Sequence, residues 1–124
     1  KKFDKKYLPV IFPGFSWVNL QKMYKNPQCE PHLVPRLRGN FLWNQALEAK
    51  EDGAVAVYVA MFDEMDEGTC IFKVTDNPPV GENKFLTYEG LPSDYYLWLT
   101  GQASKMLKKE ILLREEKPLY PFKK

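Results

Sequence analysis

The sequence predicts a parallel α/β structure, and three observations carry that prediction. The nine residues from Ala54 to Phe62, AVAVYVAMF, are continuously apolar and rich in valine. Such a run reads as a strand buried on both faces, as in parallel sheets. A helical stretch, Gly39 to Glu51, stands directly before it, and a second apolar run stands well ahead of that. A further helical stretch follows, so the elements alternate β, α, β, α.

The first strand is Tyr7 to Phe12, YLPVIF, with Pro9 inside it and Pro13-Gly14 ending it. Phe15, Ser16 and Trp17 follow at the strand end. Trp17 is placed either as a stacking surface for a sugar ring or as packing under a loop. Asn19 to Leu37 reads as a loop, with Pro27, Pro31 and Pro35. It holds the single histidine, His32, read as a surface residue. Arg36 and Arg38 either hold a neighbouring carboxylate or face water.

In Gly39 to Glu51, residues Phe41, Leu42, Gln45, Ala46 and Ala49 recur at helical spacing, widened by Trp43 and Leu47. Asp52-Gly53 stops the helix, with Gly53 as the left-handed residue after its end. The valine-rich strand comes next and runs into Asp63, Glu64, Asp66 and Glu67. Functional groups in parallel α/β folds gather at the C-terminal ends of strands. Carboxyls crowded this closely raise one another's pKa, which suits acid/base chemistry. Two other readings stand beside it: a solvated acidic loop, and an oxygen-ligand site for a divalent cation.

Cys70 to Val74 is extended, Thr75 to Asn83 is a turn-rich loop, and Phe85 to Gly90 brings the chain back. Ser93 is placed as the cap of a last helix from about Asp94 to Glu110. One face is predicted to be Leu97, Thr100 or Gly101, Ser104 and Leu107, with Trp98 and Met106 adding to the apolar surface and Gly101 allowing close packing. The tail from Arg114 to Lys124 lies along the surface.

Composition bounds the rest. The 124 residues, 44% hydrophobic and 27% charged, suit one domain or a fragment of one spanning residues 1–124. A net charge of +2 gives no argument for nucleic acid or an anionic membrane. No apolar run approaches the roughly 20 residues that span a bilayer. The start, KKFDKKYLPV, lacks the long apolar core of a signal peptide, and Lys1 in place of Met predicts a processed or truncated product. Cys29 and Cys70 match neither a disulfide framework nor a metal-ligand spacing. No cofactor and no metal is expected. A full parallel barrel takes roughly 250 residues, so the pattern reads as the C-terminal part of a larger (β/α)8 barrel.

The residues also resemble a known family. Glu64-Met65-Asp66-Glu67-Gly68-Thr69 is similar to the E-W-x-E-G-T segment of glycoside hydrolase family 99 and the related 71/99-like proteins, with Met65 where the family has Trp. Phe12-Pro13-Gly14-Phe15 resembles the family's P-G-[YF] strand end. Arg38-Gly39 with Phe41 and Trp43 resembles its helix start in a shortened spacing. Tyr88 to Asp94 with Tyr96 to Leu99 is similar to the end of bacterial relatives, many labelled xylosidase/arabinosidase. The resemblance implies an endo-α-mannosidase-like, retaining hydrolase acting on an oligosaccharide or polysaccharide. It implies Glu64 and Glu67 as the catalytic pair; beside them, Phe15, Trp17, Asp63 and Asp66 are the residues expected to bind substrate. It also implies that other sugar contacts come from strands this chain does not contain. A missing N-terminal portion, or self-association, would then cover the exposed sheet edges. A bacterial glycan-degrading enzyme of this kind would be secreted or periplasmic. The alternative is a non-catalytic fragment or a carbohydrate-binding remnant.

Overall fold

The computed structural model describes residues 5–25 and 34–121. Cys29 and His32 lie outside the described residues. The element order is β1 (Val10–Ile11), α1 (Val18–Met23), a 3-10 turn (Leu37–Gly39), α2 (Asn40–Glu51), β2 (Tyr58–Val59) and α3 (Tyr95–Leu107). β1 and β2 pair in parallel, Val10 opposite Tyr58 and Ile11 opposite Val59. The predicted β-α-β-α order and the parallel pairing are both present.

Both strands are shorter than the apolar runs suggest. The ladder is made by Tyr58 N–H to Pro9 O and Ala60 N–H to Ile11 O, each 2.9 Å. Beyond Ile11, Phe12 turns its main chain to a side chain instead of a strand. Gln45 of α2 accepts from Phe12 N–H at 3.2 Å and donates to Phe12 O at 2.8 Å. The expectation that Ala54 to Phe62 is buried on both faces is corrected. Val55 is 70% exposed and Tyr58 56% exposed. Register partners in a parallel pair share a face. Ile11 and Val59 therefore face the helices, while Val10 and Tyr58 face away and are bare.

α2 buries the stripe its spacing foretells: Leu42, Trp43, Ala46, Leu47 and Ala49. It ends in a Schellman closure, with Ala54 N–H to Ala49 O at 2.9 Å and Gly53 N–H to Lys50 O at 3.0 Å. Gly53 takes the left-handed conformation there, with φ of +85°. This closure delivers the chain directly into the approach to β2.

α3 differs from its sequence reading in face and cap. Its buried residues are Tyr95, Tyr96, Leu99, Ala103 and Met106, whereas Leu97 is exposed. A tyrosine stripe defines the inner face here, and the Leu97–Ser104 stripe does not. Gly101 is exposed, and a Cβ there would meet nothing within 4 Å, so it serves no close contact. The cap residue is Asp94 rather than Ser93, and its side chain makes no capping bond. The Asp94 carboxylate instead accepts a 2.6 Å bond from the Tyr120 hydroxyl.

The segment read as a loop from Asn19 contains α1, a six-residue helix. Between α2 and α3 the core holds Trp43, Tyr88, Tyr96, Leu42, Leu99, Met106 and Cys70, all essentially buried. The C-terminal tail, as far as Pro121, lies along the surface of the helices, as predicted. Trp43 Nε1–H holds Arg114 O at 3.0 Å, and Tyr120 packs edge-on against Trp98 with ring centroids 5.0 Å apart.

Candidate functional site

The strand β2 leads through Ala60 and Met61 to an acidic turn. Residues 65–68 form the turn, closed by Gly68 N–H to Met65 O at 3.2 Å. Gly68 has φ of +64°, and a Cβ there would sit 3.0 Å from Leu86. Both facts explain why glycine follows the second glutamate. Asp63 is exposed, while Glu64, Asp66 and Glu67 are half-buried. Glu64 Oε1 accepts from Asp66 N–H at 2.9 Å, which fixes one carboxylate against the turn's own backbone.

The turn is held from outside by the segment between β1 and α2. Ser16 N–H donates to Glu67 O at 2.7 Å. Asn19 Nδ2 donates to Asp66 O at 3.5 Å and to Lys84 O at 3.2 Å. Arg36 Nη2 donates to Gly68 O at 2.7 Å and Cys70 O at 2.8 Å. Phe15 pairs antiparallel with Val34, through bonds of 2.9 and 3.0 Å, which brings Ser16 and Arg36 to the same side of the turn. Phe15 and Trp17 are half-buried and meet edge-to-face at 5.5 Å.

The structure thus brings together Asp66 and Glu67 on one turn, binds the Glu64 side chain to it from the preceding position, and ties Phe15-Ser16-Trp17 to it through Ser16. Asp63 stands two residues before the turn. A cavity of about 310 Å³ adjoins it, lined by Ser16, Val18, Lys84, Phe85, Leu86, Thr87 and Glu89. Glu64 and Glu67 are not among its lining residues. Among the described residues, no three His, Cys, Asp or Glu side chains form a group that could hold a metal ion. The four acids therefore do not converge as the divalent-cation reading requires. Among the same residues, no helix is long and apolar enough to cross a membrane.

Sequence reasoning missed the three donors, Ser16, Asn19 and Arg36. It offered Arg36 a carboxylate or water, and the structure gives it neither. Arg36 is 3% exposed and lies over the rings of Tyr96 and Tyr88, at 4.4 and 4.8 Å from their centroids. The only available signal was the density of aromatic residues between Tyr88 and Trp98, which supplies a stacking partner for a buried guanidinium. Arg38, by contrast, is exposed and bridges to the 88–90 loop. Its N–H donates to Glu89 Oε2 and its Nη1 to Glu89 O, each at 2.7 Å.

Burial holds the Tyr88 phenol well above the ordinary tyrosine range. Its neighbour Cys70 raises it further, and the Arg36 charge opposes the rise. Burial likewise raises Tyr96, again against Arg36. Both hydroxyls therefore stay protonated beside the guanidinium, and the local charge is the arginine's.

Fold and turn together describe a small parallel α/β unit with an acidic turn, clamped through its backbone, beyond the end of a strand. Its fold is similar to part of the glycoside hydrolase family 99 (GH99) endo-alpha-mannosidase from Bacteroides thetaiotaomicron, both in complex with bis-tris-propane and in a second structure of that enzyme. Each comparison gives a TM-score of 0.70 and 23% sequence identity over 87% of this chain. The chain spans about a third of those enzymes, 32% and 30% of their lengths. No protein-family model and no curated protein sequence matches the chain.

Proposed function

We propose that this chain is the C-terminal part of a (β/α)8 glycoside hydrolase barrel and carries its catalytic carboxylates. The observation that carries the reading is the coincidence of two independent features. The fold matches a third of an endo-alpha-mannosidase, and the E-x-x-E-G-T segment falls on a turn fixed at a strand end.

In this reading Glu64 is the base that draws the proton from the substrate's own 2-hydroxyl as that oxygen attacks C1. Glu67 gives its proton to the departing glycosidic oxygen. The resulting 1,2-anhydro sugar is opened at C1 by water, whose proton returns to Glu67, while Glu64 returns a proton to the 2-oxygen. Two displacements at C1 retain its configuration. The division of labour needs one ionised and one protonated carboxyl across the scissile bond. Phe15 and Trp17 supply ring surface for the sugar, and Asp63 and Asp66 supply hydroxyl acceptors. The remaining contacts come from the rest of the barrel, which packs on the bare face bearing Val10 and Tyr58.

The expected product of cleavage of an α-mannose oligosaccharide is the α anomer, seen first by proton NMR. The β anomer appearing first would overturn the reading.

A second reading, a sugar-binding portion without hydrolysis, is favoured by one observation: the cavity beside the turn is lined by residues other than the two glutamates. It predicts binding of the same oligosaccharide with no product.

A further inference from the structure

The acidic turn is built from backbone whose carbonyls point outward to donors of a distant segment. Among them Arg36 is exceptional. It is a charged side chain, 3% exposed, whose Nη2 bridges Gly68 O and Cys70 O at 2.7 and 2.8 Å. Its Nε and Nη1 have no hydrogen-bond partner among the described residues. Burying a cation in this way is costly unless something offsets it. The ring faces of Tyr96 and Tyr88 supply part of the offset, since a guanidinium over an aromatic face within about 6 Å is attracted by the ring quadrupole. The two carbonyls supply the rest.

The site admits little slack. A Cβ on Gly14 would lie 2.7 Å from Arg36 Cγ and 2.9 Å from Val34 O, so the Pro13-Gly14 backbone presses directly on the arginine stem. On the other side, Leu86 packs against Gly68. The guanidinium is thus fixed along its stem, against two tyrosine rings and at its donor end. The backbone it holds starts one residue after Glu67.

We infer that Arg36 is a positioning residue that fixes the backbone from which Glu67 projects. The inference rests on the reading of Glu67 as the acid. The planar, always charged guanidinium suits this task, because one nitrogen reaches two carbonyls while its carbon rests in the angle between the Tyr88 and Tyr96 rings. Arg36 touches no reacting atom. It acts by holding the turn, so its loss costs the chemical step through misplacement of the carboxyl.

The test compares Arg36→Met, Arg36→Lys and a core control, Leu99→Ala, in the full chain by residue-resolved hydrogen exchange. The reporters are the amides that close the turn: Ser16, Gly68 and Met61, which donate to Glu67 O, Met65 O and Thr69 O. Arg36→Met is expected to speed exchange at these three amides by about tenfold or more, with Ala46 and Leu47 of α2 within about twofold of wild type. Arg36→Lys, which keeps the charge and a donor, is expected to fall between, at about threefold. Leu99→Ala is expected to speed exchange in α2 and α3 without singling out the turn. If Arg36→Met does not fold, Arg36→Lys decides by the same three amides. Acceleration spread evenly along the chain, or no acceleration at the turn, overturns the inference and leaves the hydrolase reading intact. In turnover of an α-mannose oligosaccharide by the intact barrel protein, Arg36→Lys is expected to lower kcat by about 10-fold, and Arg36→Met by about 100-fold, with KM little changed. A loosened turn with unchanged kcat overturns the positioning role alone. Undiminished turnover in Glu67→Gln overturns the reading and the inference with it.

Discussion

At the scale of single residues, the molecule is governed by what its buried polar groups find. Tyr88 donates to Phe72 O and Cys70 O and sits 3.5 Å from Cys70 Sγ. Tyr96 is fully buried and packs edge-on against both Tyr88 and Tyr95. Burial raises the pKa of Tyr88, Tyr95 and Tyr96 above the ordinary value of 10. The folded protein therefore binds these protons more tightly than the unfolded chain. Their contribution is fully present below pH 10 and declines as the pH rises above it, where the unfolded chain ionises first. The expected outcome is a fall in thermal stability above about pH 10, with the phenolate absorbance of these three rings appearing only as the chain unfolds. Phenolate absorbance from all tyrosines in the folded protein would contradict it. The aromatic density between Tyr88 and Trp98 was legible in the sequence, whereas the burial of these rings around Arg36 was not, because it depends on contacts far apart in the chain.

Element by element, local signals and tertiary packing divide the outcome between them. α2 was legible because its apolar spacing, its Asp52-Gly53 stop and its Schellman closure all agree. α3 was found, but its inner face was misassigned, because the tyrosine stripe carries the burial and leucine does not. The strands were found in place and overextended in length. An apolar run marks where a strand belongs, while pairing partners decide how far it goes. Two positions, one within α3 and one just after its end, carry avoidable cost. Gly101 is exposed with open space around its Cβ position, and Ala there should stabilise by about 1 kcal/mol. Lys109 closes the helix in a Schellman arrangement, Glu110 N–H to Lys105 O at 2.9 Å, with a left-handed φ of +64° on a non-glycine residue. Lys109→Gly should stabilise by up to about 1 kcal/mol, net of the entropy glycine adds to the unfolded chain. Each change is expected to raise Tm by a few degrees, about 4–8 °C per kcal/mol for a domain of this size. An unchanged or lowered Tm would contradict the assignment of these positions.

Over the whole molecule, one side is finished and the other is not. The helices, the tail and the Trp43–Tyr96–Leu99 core close one face of the two-stranded sheet. The opposite face exposes Val10 and Tyr58, with Met61 and Phe62 exposed beyond the strand end. Among the described residues each strand has one unpaired edge. Exposed apolar surface and open edges favour association. The isolated chain is accordingly expected to self-associate in sedimentation experiments, and a strict monomer at high concentration would contradict that. The parallel pairing was legible in the two apolar runs, and the chain matches about a third of a longer enzyme. The clamp on the acidic turn was not visible, because Ser16, Asn19 and Arg36 lie 32 or more positions from the carbonyls they hold.

The central claim is that the acidic turn belongs to a sugar-cleaving site. Replacement of a general acid by its amide removes the proton donor while keeping the shape. Turnover of an α-mannose oligosaccharide by Glu67→Gln in the intact barrel protein, with its fold verified by circular dichroism, is the deciding measurement. The account predicts a loss of about 100-fold or more in kcat. Turnover equal to that of the unaltered protein would contradict it.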